Sequence, residues 1–131
     1  MKPETRSVIS QTLPLISNNM DAKNRFFEIL NDFSPGSVSL LVTDHQATRS
    51  CFYSFLLVHV AVADQKEYLR EVVRTQKITD RINPSHLGYI KKAMIRMVQE
   101  VLGKNYTAHT LDAWDTALNE MTVTILNTSE K

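Results

Sequence analysis

Apolar residues recur along most of this chain at the alternating three- and four-residue spacing of one helix face. The clearest stripe is Leu87, Ile90, Met94, Met97 and Val101, with Lys91, Lys92, Arg96 and Gln99 on the other side. Asn83-Pro84 marks its start, because asparagine can cap a helix and proline fits the first helical position. Gly103 marks its end, since glycine accepts the left-handed conformation that closes many helices. A second stripe of Leu111, Trp114, Leu118, Met121 and Ile125 follows Thr107, a capping residue. The short link between them predicts two antiparallel neighbours.

The N-terminal half carries shorter stripes. Val8, Ile9, Leu13 and Ile16 predict a helix from about Glu4 to Ser17. Pro14 inside it should bend the helix or leave one backbone bond unmade. Asp21 can cap a helix carrying Phe26, Phe27, Ile29 and Leu30, and Ser34-Pro35-Gly36 ends it. Val38–Val42 fits a short helix, a turn or a strand. Arg49–Ala63 has high strand propensity through Phe52, Tyr53, Phe55, Val58 and Val60, yet no hairpin partner, and a lone strand leaves its edges unpaired. It is read as a helix buried on most sides. A further amphipathic helix, about Gln65 to Gln76, carries Tyr68, Leu69, Val72 and Val73. The pattern predicts six or seven helices in one all-α domain spanning residues 1–131.

Composition narrows this picture. A chain of 131 residues is one domain's worth, and three glycines and four prolines are too few for the turns of an all-β fold. Lys plus Arg is 15 against 14 for Asp plus Glu, so the net charge of +1 gives no electrostatic footprint for nucleic acid. Cys51 stands alone, which excludes an internal disulfide and a cysteine-based zinc site. The longest apolar run, about Cys51 to Ala63, falls short of the roughly 20 residues a membrane span needs. The N-terminus lacks the apolar stretch of a signal peptide, and the expectation is a soluble cytoplasmic protein. His45, His59, His86 and His109 show no metal-ligand spacing. His59 reads as a satisfied core histidine, and His86 and His109 as exposed first-turn residues. No nucleophile triad or glycine-rich phosphate loop is present.

Three segments then carry a resemblance. They are Pro3-Glu4-Thr5 through Ile9, Thr12-Leu13-Pro14-Leu15; Phe26-Phe27 followed by Pro35; and Ile82-Asn83-Pro84-Ser85-His86 through Leu102-Gly103, Thr107 and Leu111-Asp112-Ala113-Trp114. In order and spacing the chain resembles the globin domain of flavohaemoglobins and bacterial single-domain haemoglobins. The resemblance implies a globin-like fold and a haem pocket formed at Phe27, Leu41, Thr48, Phe52, Lys77, Leu87, Ile90 and Met94. It implies no reductase portion.

Several of those positions depart from the family. Lys77 stands where the family has its iron-binding histidine, and a protonated lysine has no lone pair for a metal. Phe27 stands where the family has a hydrogen-bonding tyrosine, and a phenyl ring cannot donate. Thr48 takes the place of the distal glutamine, with His45 and Gln46 nearby. Leu40 or Leu41 replaces the phenylalanine wedged on the porphyrin, and Leu87 replaces a tyrosine. Scaffold positions such as Leu15, Pro35, Ile90, Met94, Leu102, Gly103 and Trp114 stay family-like.

The expectation is therefore a globin-like protein that is haem-free or haem-impaired, with no cofactor as the leading reading, acting as a non-catalytic binding, sensory or protein-interaction module. The alternative is a haem protein in which Lys77 is the metal ligand and oxygen or nitric oxide is handled. Partner classes are an apolar small ligand, a protein, or a second copy of the chain in a homodimer; nucleic acid and a membrane span are not expected.

Overall fold

The structure, a computed structural model, describes residues 2–35, 46–76 and 84–129. Its helices are α1 (Pro3–Ser17), α2 (Ala22–Phe33), α3 (Gln46–Ala61), α4 (Lys66–Gln76), α5 (Pro84–Leu102) and α6 (Ala108–Ser129). The described residues form an all-α, globin-like fold. Val38–Val42 lies outside the described residues. Helix α1 continues past Pro14 to Ser17, and the backbone bond that Pro14 cannot make would have reached Ser10, whose exposure lets water replace the donor.

The ends of the last two helices follow the sequence signals. Pro84 opens α5, and Gly103 closes it with φ of 54°. The Thr107 hydroxyl accepts the Thr110 amide at 3.3 Å while the Thr107 amide donates to the Thr110 hydroxyl at 3.3 Å, a reciprocal cap on α6. Asp21 precedes α2 but its side chain makes no capping bond. Instead Asn19 Oδ1 accepts the Asp21 amide at 2.9 Å, so the turn before the helix is tied rather than the helix itself.

Burial fixes the phase of each stripe. Helix α5 buries Leu87, Ile90, Met94 and Met97, with Ala93 and Val98 beside them. Helix α6 buries Trp114, Leu118, Met121 and Ile125, with Ala113 and Ala117. Leu111 departs from the expected stripe: it is 42% exposed, and Thr110 is the buried residue of that turn. Leu15, marked above as scaffold, is also exposed. Helix α3 is a helix despite its strand-forming composition, because it is wrapped by apolar neighbours. Phe52, Tyr53, Phe55, Leu56, His59 and Val60 are all buried, and among its described side chains Ser54, Val58 and Ala61 face solvent.

The layers are pinned at few points. Helix α2 packs on α5, and α6 sits against α1, α3, α4 and α5. Trp114 Nε1 donates to Thr12 Oγ1 at 2.9 Å, and Thr12 passes its own proton to the Val8 carbonyl at 2.7 Å, locking α6 to α1. Arg25 grips Glu100 with Nε and Nη2 at 2.6 and 3.0 Å, joining α2 to α5. Lys91 reaches Asp115 at 2.6 Å and Asn119 at 2.8 Å across the α5–α6 seam.

Candidate functional site

Five of the eight pocket-equivalent positions have described side chains, and they converge. Phe27 comes from α2, Phe52 from α3, and Leu87, Ile90 and Met94 from successive turns of α5. All five are buried in one apolar cluster. The Phe27 ring meets Phe26 edge-on with centroids 5.1 Å apart, and a tilted Phe52 at 6.3 Å. Such pairs are favourable contacts beyond their area. Leu41 and Lys77 lie outside the described residues, as do Leu40 and His45. Thr48 sits in the first turns of α3, but its side chain is likewise outside the description, as is that of Gln46.

The structure also buries polar atoms without partners. Tyr53 Oη, His59 Nε2 and His86 Nδ1 are buried without a hydrogen-bond partner among the described residues. Tyr53 lies beside Phe26 with ring centroids 5.9 Å apart, and burial pushes its phenol up to about 12. The group stays neutral and keeps a proton to donate. Its only sequence signal was a lone hydroxyl inside an apolar run, and that signal matters only once the helix is buried on both flanks.

His59 corrects an expectation. It is fully buried, yet only one of its nitrogens is satisfied. Nδ1 lies 2.7 Å from the Phe55 carbonyl, which can only accept, so Nδ1 carries the proton and Nε2 is an unpaired acceptor. Burial drives the imidazole pKa down to about 4, against a smaller opposing pull from the Phe55 carbonyl. The ring stays neutral at pH 7 and rests on Phe55 at 3.8 Å. His86 also departs from the fully exposed reading, being half-buried. His109 is exposed as expected.

Of the five described pocket-equivalent residues, only the Met94 thioether carries a usable lone pair; the other four are hydrocarbons. Haem iron is held by His, Cys, Tyr or a Met/His pair. No group of three or more His, Cys, Asp or Glu placed to hold a metal ion occurs among the described residues. No described helix is long and apolar enough to cross a membrane.

No protein-family model matches the chain. It is 25% identical over 138 aligned positions to a flavohemoprotein of Pseudomonas putida, a match covering 99% of this chain and 35% of that protein. The relationship is distant and globin-like. The chain spans about a third of the length of that relative, since 35% of it is covered.

Proposed function

We propose that this is a globin-like protein whose core has given up ordinary haem ligation, and that it works as a non-catalytic binding, sensory or protein-interaction module. The observation that carries this reading is the hydrocarbon character of the pocket-equivalent core. Phe27 and Phe52 pack ring against ring, with Leu87, Ile90 and Met94 buried in the same cluster. An empty apolar void would cost about 24 cal/mol per Å³, so side chains or an apolar ligand must occupy the space that a haem would take. The resemblance, which sets Phe27, Lys77 and Leu87 where the family has other residues, points in the same direction.

The test is an absorbance spectrum of protein expressed with haem supplied. The expected result is no stoichiometric Soret band. A full Soret band at one haem per chain refutes the reading.

The second reading is a haem protein ligated through Lys77. It is favoured by the flavohemoprotein likeness, because that relative's name states a haem protein. It requires a lysine with a strongly depressed pKa. Lys77→Ala separates the two: if a Soret band exists and the substitution leaves it unchanged, Lys77 is not the ligand.

A further inference from the structure

Three helices leave an apolar strip uncovered outside the core. Phe33 at the end of α2, Ile95 on α5 and Leu111 on α6 line one open groove of about 390 Å³, a volume in the range of small-ligand clefts. Phe33 is 37% and Leu111 42% exposed, although α2 and α6 both have well-formed buried faces. Apolar residues exposed singly need no explanation, but three meeting across three helices form a patch.

The polar groups beside that patch are mostly cationic. Lys92, Ile95, Arg96 and Gln99 share one face of α5 by their three- and four-residue spacing, and all four line the groove. Lys92 is exposed and makes no ion pair or hydrogen bond among the described residues. Arg96 has only Glu100 at 3.6 Å among the described residues, and Arg25 already holds both oxygens of that carboxylate at 2.6 and 3.0 Å. Asp115, the one carboxylate in the lining, is taken by Lys91 at 2.6 Å. An unpaired ammonium and a weakly held guanidinium therefore stand beside the apolar strip.

Length sets the size of a matching ligand. From Lys92 to Gln99 the helix rises about 10 Å. One aromatic ring on a short chain ending in a carboxylate spans that distance, whereas a long extended acyl chain overruns it. Phe33 gives the ring an aromatic neighbour. The Arg96 fork can donate to both carboxylate oxygens, and Lys92 adds a point charge one turn away.

We propose that this groove binds an aryl-alkyl monocarboxylate, with its ring on Phe33, Ile95 and Leu111 and its carboxylate between Lys92 and Arg96. The groove shares no residue with the haem-pocket-equivalent positions, so the proposal goes beyond the function argued above. A Soret band would refute that function and leave this site standing.

The experiment is an NMR titration of the full chain with 3-phenylpropionate at low salt, following the backbone amides of α5 and α6. The expected result is saturable movement of the amides around Ile95 and Leu111, with a dissociation constant on the order of 1 mM. 3-Phenylpropanol keeps the ring and loses the charge, and should bind about threefold more weakly. Acetate keeps the charge and loses the ring, and should give no saturable movement. The double variant K92E/R96E should bind 3-phenylpropionate about tenfold more weakly and 3-phenylpropanol as wild type does, a split that general damage to the fold would not produce. Phe33→Ala should weaken both ligands about threefold. Circular dichroism confirms that the variants are folded. A wild-type chain that shows no saturable movement up to about 20 mM 3-phenylpropionate overturns the proposal. So does a K92E/R96E variant that binds the carboxylate like wild type, or an alcohol that binds wild type as tightly as the acid.

Discussion

His59 makes the protein's stability depend on pH in a window where few other groups act. Its imidazole is fully buried, its Nε2 is unpaired, and its pKa in the folded chain is pulled down to about 4 from an ordinary 6.5. The unfolded chain therefore takes up a proton near pH 6.5 that the folded chain refuses until about pH 4. The stabilisation is complete above pH 6.5 and is lost as pH falls toward 4. At about 1.4 kcal/mol per pKa unit the full loss is about 3 kcal/mol, and about 2 kcal/mol of it is gone by pH 5. A domain of this class has only about 5–15 kcal/mol to lose.

The assay is urea unfolding at pH 7.5 and pH 5, followed by fluorescence of Trp114, the single tryptophan, which is fully buried. The wild-type midpoint should fall by about 1 M urea between the two conditions. His59→Leu removes the titrating group, so its midpoint should change little with pH. Glu100 does not confuse the reading: the Arg25 guanidinium holds its carboxyl below 4.5, so its contribution persists until more acidic conditions. An equal pH-induced drop in wild type and His59→Leu would refute the argument, as would a His59 imidazole seen by NMR to titrate near 6.5.

Two further predictions rest on single residues. Tyr53→Phe deletes a buried hydroxyl that has no partner among the described residues, so stability should hold or rise by up to about 1 kcal/mol in thermal unfolding; a loss above that would mean the hydroxyl is holding something. Gly103→Ala meets no steric neighbour, yet it forces a side chain into φ of 54°, and should cost about 1 kcal/mol by the same measurement; no loss would show that the chain turns there by another route.

The helices of the C-terminal half were legible because period and punctuation agree. Pro84, Gly103 and Thr107 sit where helix chemistry wants them, and the α5 stripe is buried from Leu87 to Met97, with Val101 only partly covered. Leu111 shows the limit of that argument. A stripe gives a period, but the first turn of a 22-residue helix can overhang its neighbours, and there the buried place goes to Thr110. Helix α3 shows the opposite case: its β-branched and aromatic residues favoured a strand locally, and burial on most sides overrode them. The pocket-equivalent positions were legible only through the family resemblance. Of these, Leu41 and Lys77 lie outside the described residues.

By itself, then, the sequence determined which segments are helical and which faces are apolar, because helix periodicity is written in neighbouring residues. Tertiary structure alone decided what those faces meet. It brought Phe27 against Phe52, left Tyr53 Oη and His59 Nε2 buried without partners, and gathered Phe33, Ile95 and Leu111 into one groove. Burial, desolvation and charge alignment depend on residues far apart in the chain, and no local pattern carries them.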